Sequence, residues 1–208
     1  MQRAMIMVAG VVMVAVVATA AFFAFAPRND GPVSPAAVNV AGAEIGGPFA
    51  LIRHDGVPVT DRDVITGPTL VYFGYTFCPD ICPIDVQLMA DAVDLLEAKG
   101  IAVTPVFVTI DPERDTPEAL APYVEAMHPK MIGLTGEVAA IKAAADAYKV
   151  YFARVDVADS AAGYLMNHTG FTYFMMPDGV AGLFRRGFPS EEIAAEVERV
   201  LKARGLAG

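Results

Sequence analysis

The chain has 208 residues, and its 15 basic against 24 acidic side chains give a net charge of −9. That balance argues against a nucleic-acid partner, whose phosphates recruit positive charge. The length suits one domain with a core that needs no disulfide staples, and the high apolar content partly reflects one N-terminal stretch rather than several membrane spans.

Ala4 to Ala26 holds no charged residue, and Thr19 is its one clearly polar side chain. As a helix it would be about 34 Å long, enough for a hydrocarbon core of ~30 Å. A single transmembrane helix within residues 1–26 is therefore expected. A removed signal peptide is the alternative, with Ala18-Thr19-Ala20 and Ala24-Phe25-Ala26 as small-residue cleavage sites. Either way the rest of the chain is exported. Arg3 and Arg28 flank the stretch and bias its orientation only weakly. Residues 27–47, rich in Pro, Gly, Ala and Val without a period, read as a flexible tether. Residues 48–208 form the expected domain.

Within it, Thr69 to Phe73 is a short apolar run bounded by Gly67-Pro68 and Gly74, as for a strand buried on both faces. Residues 81–99 follow with helical spacing at Val86, Met89, Ala90, Val93 and Leu96. Asp80 is the expected N-cap and Gly100 the stop. Val103 to Ile110 is a second strand, weakened in its first half by Pro105. Asp115 or Thr116 caps a helix that carries Pro117 in its first turn and Pro122 further in, running to about Met127. A short strand at Lys130 to Leu134, a helix from Glu137 to Ala147 and a strand from Tyr148 to Val155 come next. Phe171 to Met176, a turn at Pro177-Asp178-Gly179, and Val180 to Arg185 form a hairpin. Ser190 is expected to cap a final helix, Glu191 to Ala203. Strands alternating with helices mean an α/β fold, and this order with a closing hairpin and helix is that of a thioredoxin-like domain.

The two cysteines of the chain, Cys78 and Cys82, lie where the first strand meets the first long helix. The positive end of that helix favours thiolate, the form that binds metals and attacks disulfides. Far downstream, His168 stands in Asn167-His168-Thr169. Two thiolates and one imidazole suit a copper(I) ion. In a thioredoxin-like fold the loop before the hairpin lies beside the cysteine loop, Gly170 permits close backbone approach, and Asn167 is placed to orient the ring. A structural disulfide is the plainer reading of the cysteines, but so short a loop would restrain the unfolded chain little. His54 and His128 are expected at the surface. Of Met127, Met131, Met166, Met175 and Met176, most are expected in the core, with Met166 the one near His168.

Several motifs together resemble the Sco/SenC family of copper-binding assembly proteins. They are Gly46-Gly47-Pro48-Phe49, the run from Tyr72 to Pro83, Asp111-Pro112-Glu113-Arg114-Asp115-Thr116-Pro117, and Asn167-His168-Thr169. The resemblance implies a thioredoxin-like fold, copper held by Cys78, Cys82 and His168, and a role in loading the binuclear copper centre of cytochrome oxidase. The expected partners are the copper-bearing oxidase subunit and other copper carriers. The lack of an Arg- and Ser-rich presequence favours a bacterial inner membrane, with the domain in the periplasm, over a mitochondrial intermembrane space. Asn167 departs from the family's usual aspartate, which removes a negative charge beside the histidine. A thiol–disulfide reductase, with Cys78 attacking and Cys82 resolving, is the competing function. A thiol peroxidase or redox sensor is permitted by the fold alone.

Overall fold

The computed structural model describes residues 44–79, 81–157 and 163–207. The expected membrane segment and the expected cap Asp80 lie outside the described residues. Among those described, no helix is long and apolar enough to cross a membrane.

A short hairpin, β1 (Ala50–Arg53) and β2 (Pro58–Thr60), leads through one helical turn, α1 (Asp61–Val64), into β3 (Thr69–Gly74). Then come α2 (Ile81–Glu97), β4 (Thr104–Thr109), α3 (Pro117–Met127), β5 (Ile132–Thr135) and α4 (Val138–Ala147). The antiparallel pair β6 (Phe152–Asp156) and β7 (Tyr164–His168) precedes the hairpin β8 (Phe171–Met176) and β9 (Gly179–Arg185), and α5 (Ser190–Ala203) follows. Seven strands form one sheet in the order β2-β1-β5-β4-β3-β8-β9, while β6 and β7 pair only with each other. The strands β3, β4 and β5 run parallel and β8 runs against β3. This is the thioredoxin-like α/β arrangement that the order of elements predicts.

Burial explains the elements. Every residue of β3 is buried, so its continuous apolar run has no face to give to water. The five apolar positions expected on α2 are all buried. Each such side chain contributes about 1.5–3 kcal/mol by leaving water, so this one stripe seats the helix on β3, β4 and α5. Pro105 is tolerated inside β4 for a geometric reason. Thr104 N–H donates to the Pro68 carbonyl on the β3 side, so position 105 faces β5, whose pairing begins only at Val106.

Three expectations need correction. The strand read from Tyr148 to Val155 starts only at Phe152, because Tyr148 caps α4 and Lys149 turns the chain at φ +58°. β7 was read as a loop before a strand. It contains no β-branched residue and pairs outside the main sheet, so neither propensity nor alternation marks it. Ser190 lies inside α5 rather than capping it. Pro189 takes the cap position, and the Ser190 hydroxyl turns to Glu191.

The topology gathers one end of the sheet into a site. β3 ends at Gly74, beside the cysteine loop. β8 is antiparallel to it, with Tyr72 opposite Thr172, so the start of β8 and the residues just before it return to that same end. Strand carboxyl ends are where open α/β sheets commonly place ligands.

Candidate metal centre

Cys82 lies in the first turn of α2, fully buried, while Cys78 in the preceding loop is half-buried. Both are thiols. The backbone N–H of Cys82 donates to Cys78 Sγ over 3.4 Å, which folds the loop back onto the helix start. His168 ends β7, and its Nε2 stands 3.2 Å from Cys82 Sγ, across 86 residues of sequence. The other ring nitrogen, Nδ1, is 3.1 Å from the Thr169 carbonyl oxygen. A carbonyl can only accept, so Nδ1 carries the proton in that bond and Nε2 keeps its lone pair toward the sulfur.

The expected thiolate character is corrected for one of the two cysteines. The contact with Cys78, and after it burial, push the Cys82 thiol well above its ordinary range. The Cys78 contact and removal from water together outweigh the positive end of the helix. A neutral Cys82 S–H can donate to Nε2, in keeping with the 3.2 Å contact.

Two phenols flank the imidazole edge-on, Tyr72 and Tyr75, each with ring centroids 6.1 Å away. The Tyr72 hydroxyl donates to Asp85 Oδ2 at 3.0 Å, and Gly187 N–H donates to Asp85 Oδ1 at 2.8 Å. Asp85 is buried on α2, so it ties the helix that carries Cys82 to β3 and to the turn after β9. A pocket of about 320 Å³ opens over the site, lined in part by Cys78, Tyr151, Met166, His168 and Arg186. A larger cavity of about 600 Å³, around Gly46, Tyr148 and Met175, lies at the opposite end of the sheet and contains none of the predicted ligands.

The structure places the other candidates differently from expectation. Asn167 is exposed, and Thr169, not Asn167, orients the ring. Thr169 also clamps the hairpin end, because Tyr151 N–H donates to its hydroxyl and its own N–H donates to the Tyr151 carbonyl. His128 is buried rather than exposed. Its Nδ1 accepts from Lys130 N–H, and its Nε2 faces Asp94. His54 Nδ1 accepts from Gly133 N–H. Met131, Met175 and Met176 are core residues and Met127 packs against the core, while Met166 reaches the pocket.

Gly74 was read as punctuation after a strand, but its reason is space. A Cβ there would lie 2.9 Å from Tyr72 Cε1, 3.1 Å from Phe107 Cε2 and 3.3 Å from Cys82 Sγ. We expect Gly74→Ala to lower stability by about 1–3 kcal/mol through overpacking, and to move the sulfur. Urea denaturation and the thiol modification rate of Cys82 would check this. An unchanged midpoint would mean that the rings absorb the methyl.

Cys78, Cys82 and His168 are neighbours without being closed round an ion. Among the described residues no group of three His, Cys, Asp or Glu is arranged to hold a metal as it stands. Soft donors from a loop, a helix start and a strand end, one of them open to a pocket, suit a monovalent ion that is taken up and released.

Comparison with known proteins gives the same direction. The SCO1/SenC family model matches residues 38–202. Protein SenC of Rhodobacter capsulatus is 49% identical over 164 residues, 78% of this chain and 73% of that protein. Other relatives are longer, and the chain spans 40%, 48% and 52% of the plant, mouse and human ones. The crystal structure of Arabidopsis thaliana ScoI with copper bound aligns at a TM-score of 0.73 and 39% identity, over 76% of this chain and 99% of that one. BsSco, described as a member of the Sco family of cytochrome c oxidase assembly proteins with a disulfide switch, aligns at a TM-score of 0.58 and 25% identity, over 76% of this chain and 94% of that one.

Proposed function

The chain belongs to the SCO1/SenC family, and from that premise we propose that it carries copper, holding the ion with Cys78, Cys82 and His168 for delivery to a cytochrome oxidase copper centre. The observation that carries this reading is the approach of His168 Nε2 to Cys82 Sγ at 3.2 Å. That approach adds an imidazole nitrogen to the two sulfurs, the donor set that suits a copper(I) ion. The copper-bound relative and the oxidase-assembly relative support the same cargo and destination. The apolar segment within residues 1–26 tethers the domain to a bacterial inner membrane, on its periplasmic side, within reach of a membrane-bound acceptor.

Each ligand has a task in this scheme. Cys82 is the fixed sulfur, buried at the helix start and held by the packing of α2. Cys78 is the exchangeable one, open to the pocket, where an incoming thiolate or thioether of a partner can replace it. His168 completes the set from the other side of the pocket. On uptake the thiols release their protons to water, as thiol coordination requires.

One observation favours the reductase as a second reading. An accessible Cys78 beside a buried Cys82 is the arrangement of an attacking and a resolving thiol. The two functions are compatible, because a thiolate acceptor must be reduced before it takes copper.

The test is metal analysis of the reduced full chain in detergent after loading with Cu(I) under anaerobic conditions. One copper per chain, with two sulfur neighbours and one nitrogen neighbour by X-ray absorption, is the expected result. No copper retained, or a site of sulfur alone, would overturn it.

A further inference from the structure

We propose that Arg114 is a latch that holds the His168 hairpin against the cysteine loop, a positioning residue for the metal centre; this rests on the reading of Cys78, Cys82 and His168 as ligands. The problem it solves is set by topology. β6 and β7 share no strand with the seven-stranded sheet, and an isolated two-stranded hairpin is marginal in water. Yet β7 must deliver His168 to a fixed sulfur.

The Asp111 to Pro117 motif supplies the anchor. Asp111, buried at the end of β4, takes its own N–H to the Thr109 hydroxyl at 2.9 Å. Its carboxylate accepts from Arg114 Nε on one oxygen and from the Tyr164 hydroxyl, at 2.8 Å, on the other. Arg114 Nη1 donates to the Tyr164 carbonyl at 3.1 Å. The guanidinium carbon sits 3.7 Å from the Tyr164 ring centroid and 4.6 Å from that of Phe77. A second guanidinium, Arg154 on β6, lies 3.8 Å from the same Tyr164 ring.

One side chain therefore touches both halves of the site. Phe77 is the residue before Cys78. Tyr164 opens β7, and with a period of two it shares a face with Met166 and His168. Arg114 itself is largely covered, with 15% of its side chain exposed, so its ring contacts operate away from bulk water, where they are strongest. Only a planar guanidinium presents an edge to a carboxylate, a donor to a carbonyl and a face to aromatic rings at once. Lysine keeps the charge and loses that geometry.

The experiment uses the full chain in detergent, as Arg114→Lys, Tyr164→Leu and Tyr164→Phe. Three quantities are read: amide hydrogen exchange of the metal-free protein, Cu(I) affinity against a chromophoric chelator, and the melting temperature. We expect Arg114→Lys and Tyr164→Leu to speed exchange at residues 164–168 by about tenfold or more while β3 and β4 keep wild-type protection, and to weaken Cu(I) binding by about tenfold. Tyr164→Phe, which keeps the ring and loses one hydrogen bond, should restore most of both. Wild-type exchange in β7 for both disruptive variants would overturn the latch, as would exchange that rises equally throughout the domain, since that is a stability effect only. If exchange rises in β7 as expected but the wild-type chain takes up no copper, the latch stands and the ligand reading fails.

Discussion

His168→Ala lowers Cu(I) affinity by about a hundredfold or more while the two thiols still react and still form a disulfide. The size follows from what is removed. Loss of a group that merely orients a metal ligand typically costs 10–100-fold in affinity, and His168 is proposed as a ligand itself, so its loss falls at or beyond the upper end. The thiols are spared because their geometry comes from elsewhere. The loop is folded by the Cys82 N–H contact to Cys78 Sγ, and Cys82 is seated by α2, whose buried stripe does not involve β7. Asn167→Ala is the informative companion. Asn167 is exposed, and the ring is oriented by the Thr169 carbonyl, so this variant should stay within about threefold of wild type, well short of the loss for a group that orients a ligand. Competition with a chromophoric Cu(I) chelator measures the first quantity, and the rate of disulfide exchange with a small dithiol measures the second. Unchanged copper affinity in His168→Ala, together with lost disulfide exchange, would mean that the histidine serves the thiols and that reductase is the function.

Asp115→Ala should cost about 3 kcal/mol or more, lowering the melting temperature by roughly 10 °C. Asp115 was read as one of two residues that might cap α3. Thr116 is the cap, and Asp115 is a fully buried carboxylate that holds the base of the cysteine loop. It accepts from Thr76 N–H at 3.0 Å and from the hydroxyls of Thr76 and Thr109. Its own carbonyl accepts from the Thr135 hydroxyl. Alanine would strand the buried Thr109 hydroxyl and the part-buried N–H and hydroxyl of Thr76, two residues before Cys78, and a fully buried group left so costs about 1–3 kcal/mol.

The same residue carries a pH signature. Burial pushes its carboxyl up, against the pull of the Thr109 and Thr76 donors and aided by the nearby charge of Asp111. A carboxyl raised in the folded state favours folding most below its unfolded value of ~3.9. That contribution is lost as pH rises through the folded value. The deficit of Asp115→Asn relative to wild type should therefore shrink between acid and neutral pH. Paired urea titrations would show it, and a deficit that grows with pH would contradict the assignment.

Some of this was legible residue by residue. Val86, Met89, Ala90, Val93 and Leu96 announce α2 because a helix buried on one side must repeat its apolar side chains about every 3.6 residues. The run Thr69 to Phe73 announces a strand with both faces covered. Gly74 and Asp115 were noticed for the wrong reasons. A glycine after a strand and an aspartate before a helix have ordinary local explanations. What excludes a Cβ at 74 is the Tyr72 ring, a ring from the neighbouring strand and a sulfur from α2, and what occupies Asp115 is a loop 39 residues upstream. β7 left no signal, because it pairs only with β6, outside the main sheet, and of its side chains the Tyr164 ring lies against Arg114.

By itself the sequence determined most of the local elements, the family, and the residue types able to bind a soft metal, since propensity, periodicity and donor chemistry are written in short stretches of chain. Only the tertiary structure decided which atoms meet. The approach of His168 to Cys82, the contacts of Arg114 with Tyr164 and the hold of Asp115 on Thr76 all depend on contacts between residues 39 to 86 apart in sequence. Such contacts arise from how the whole core packs, and no stretch of sequence contains them.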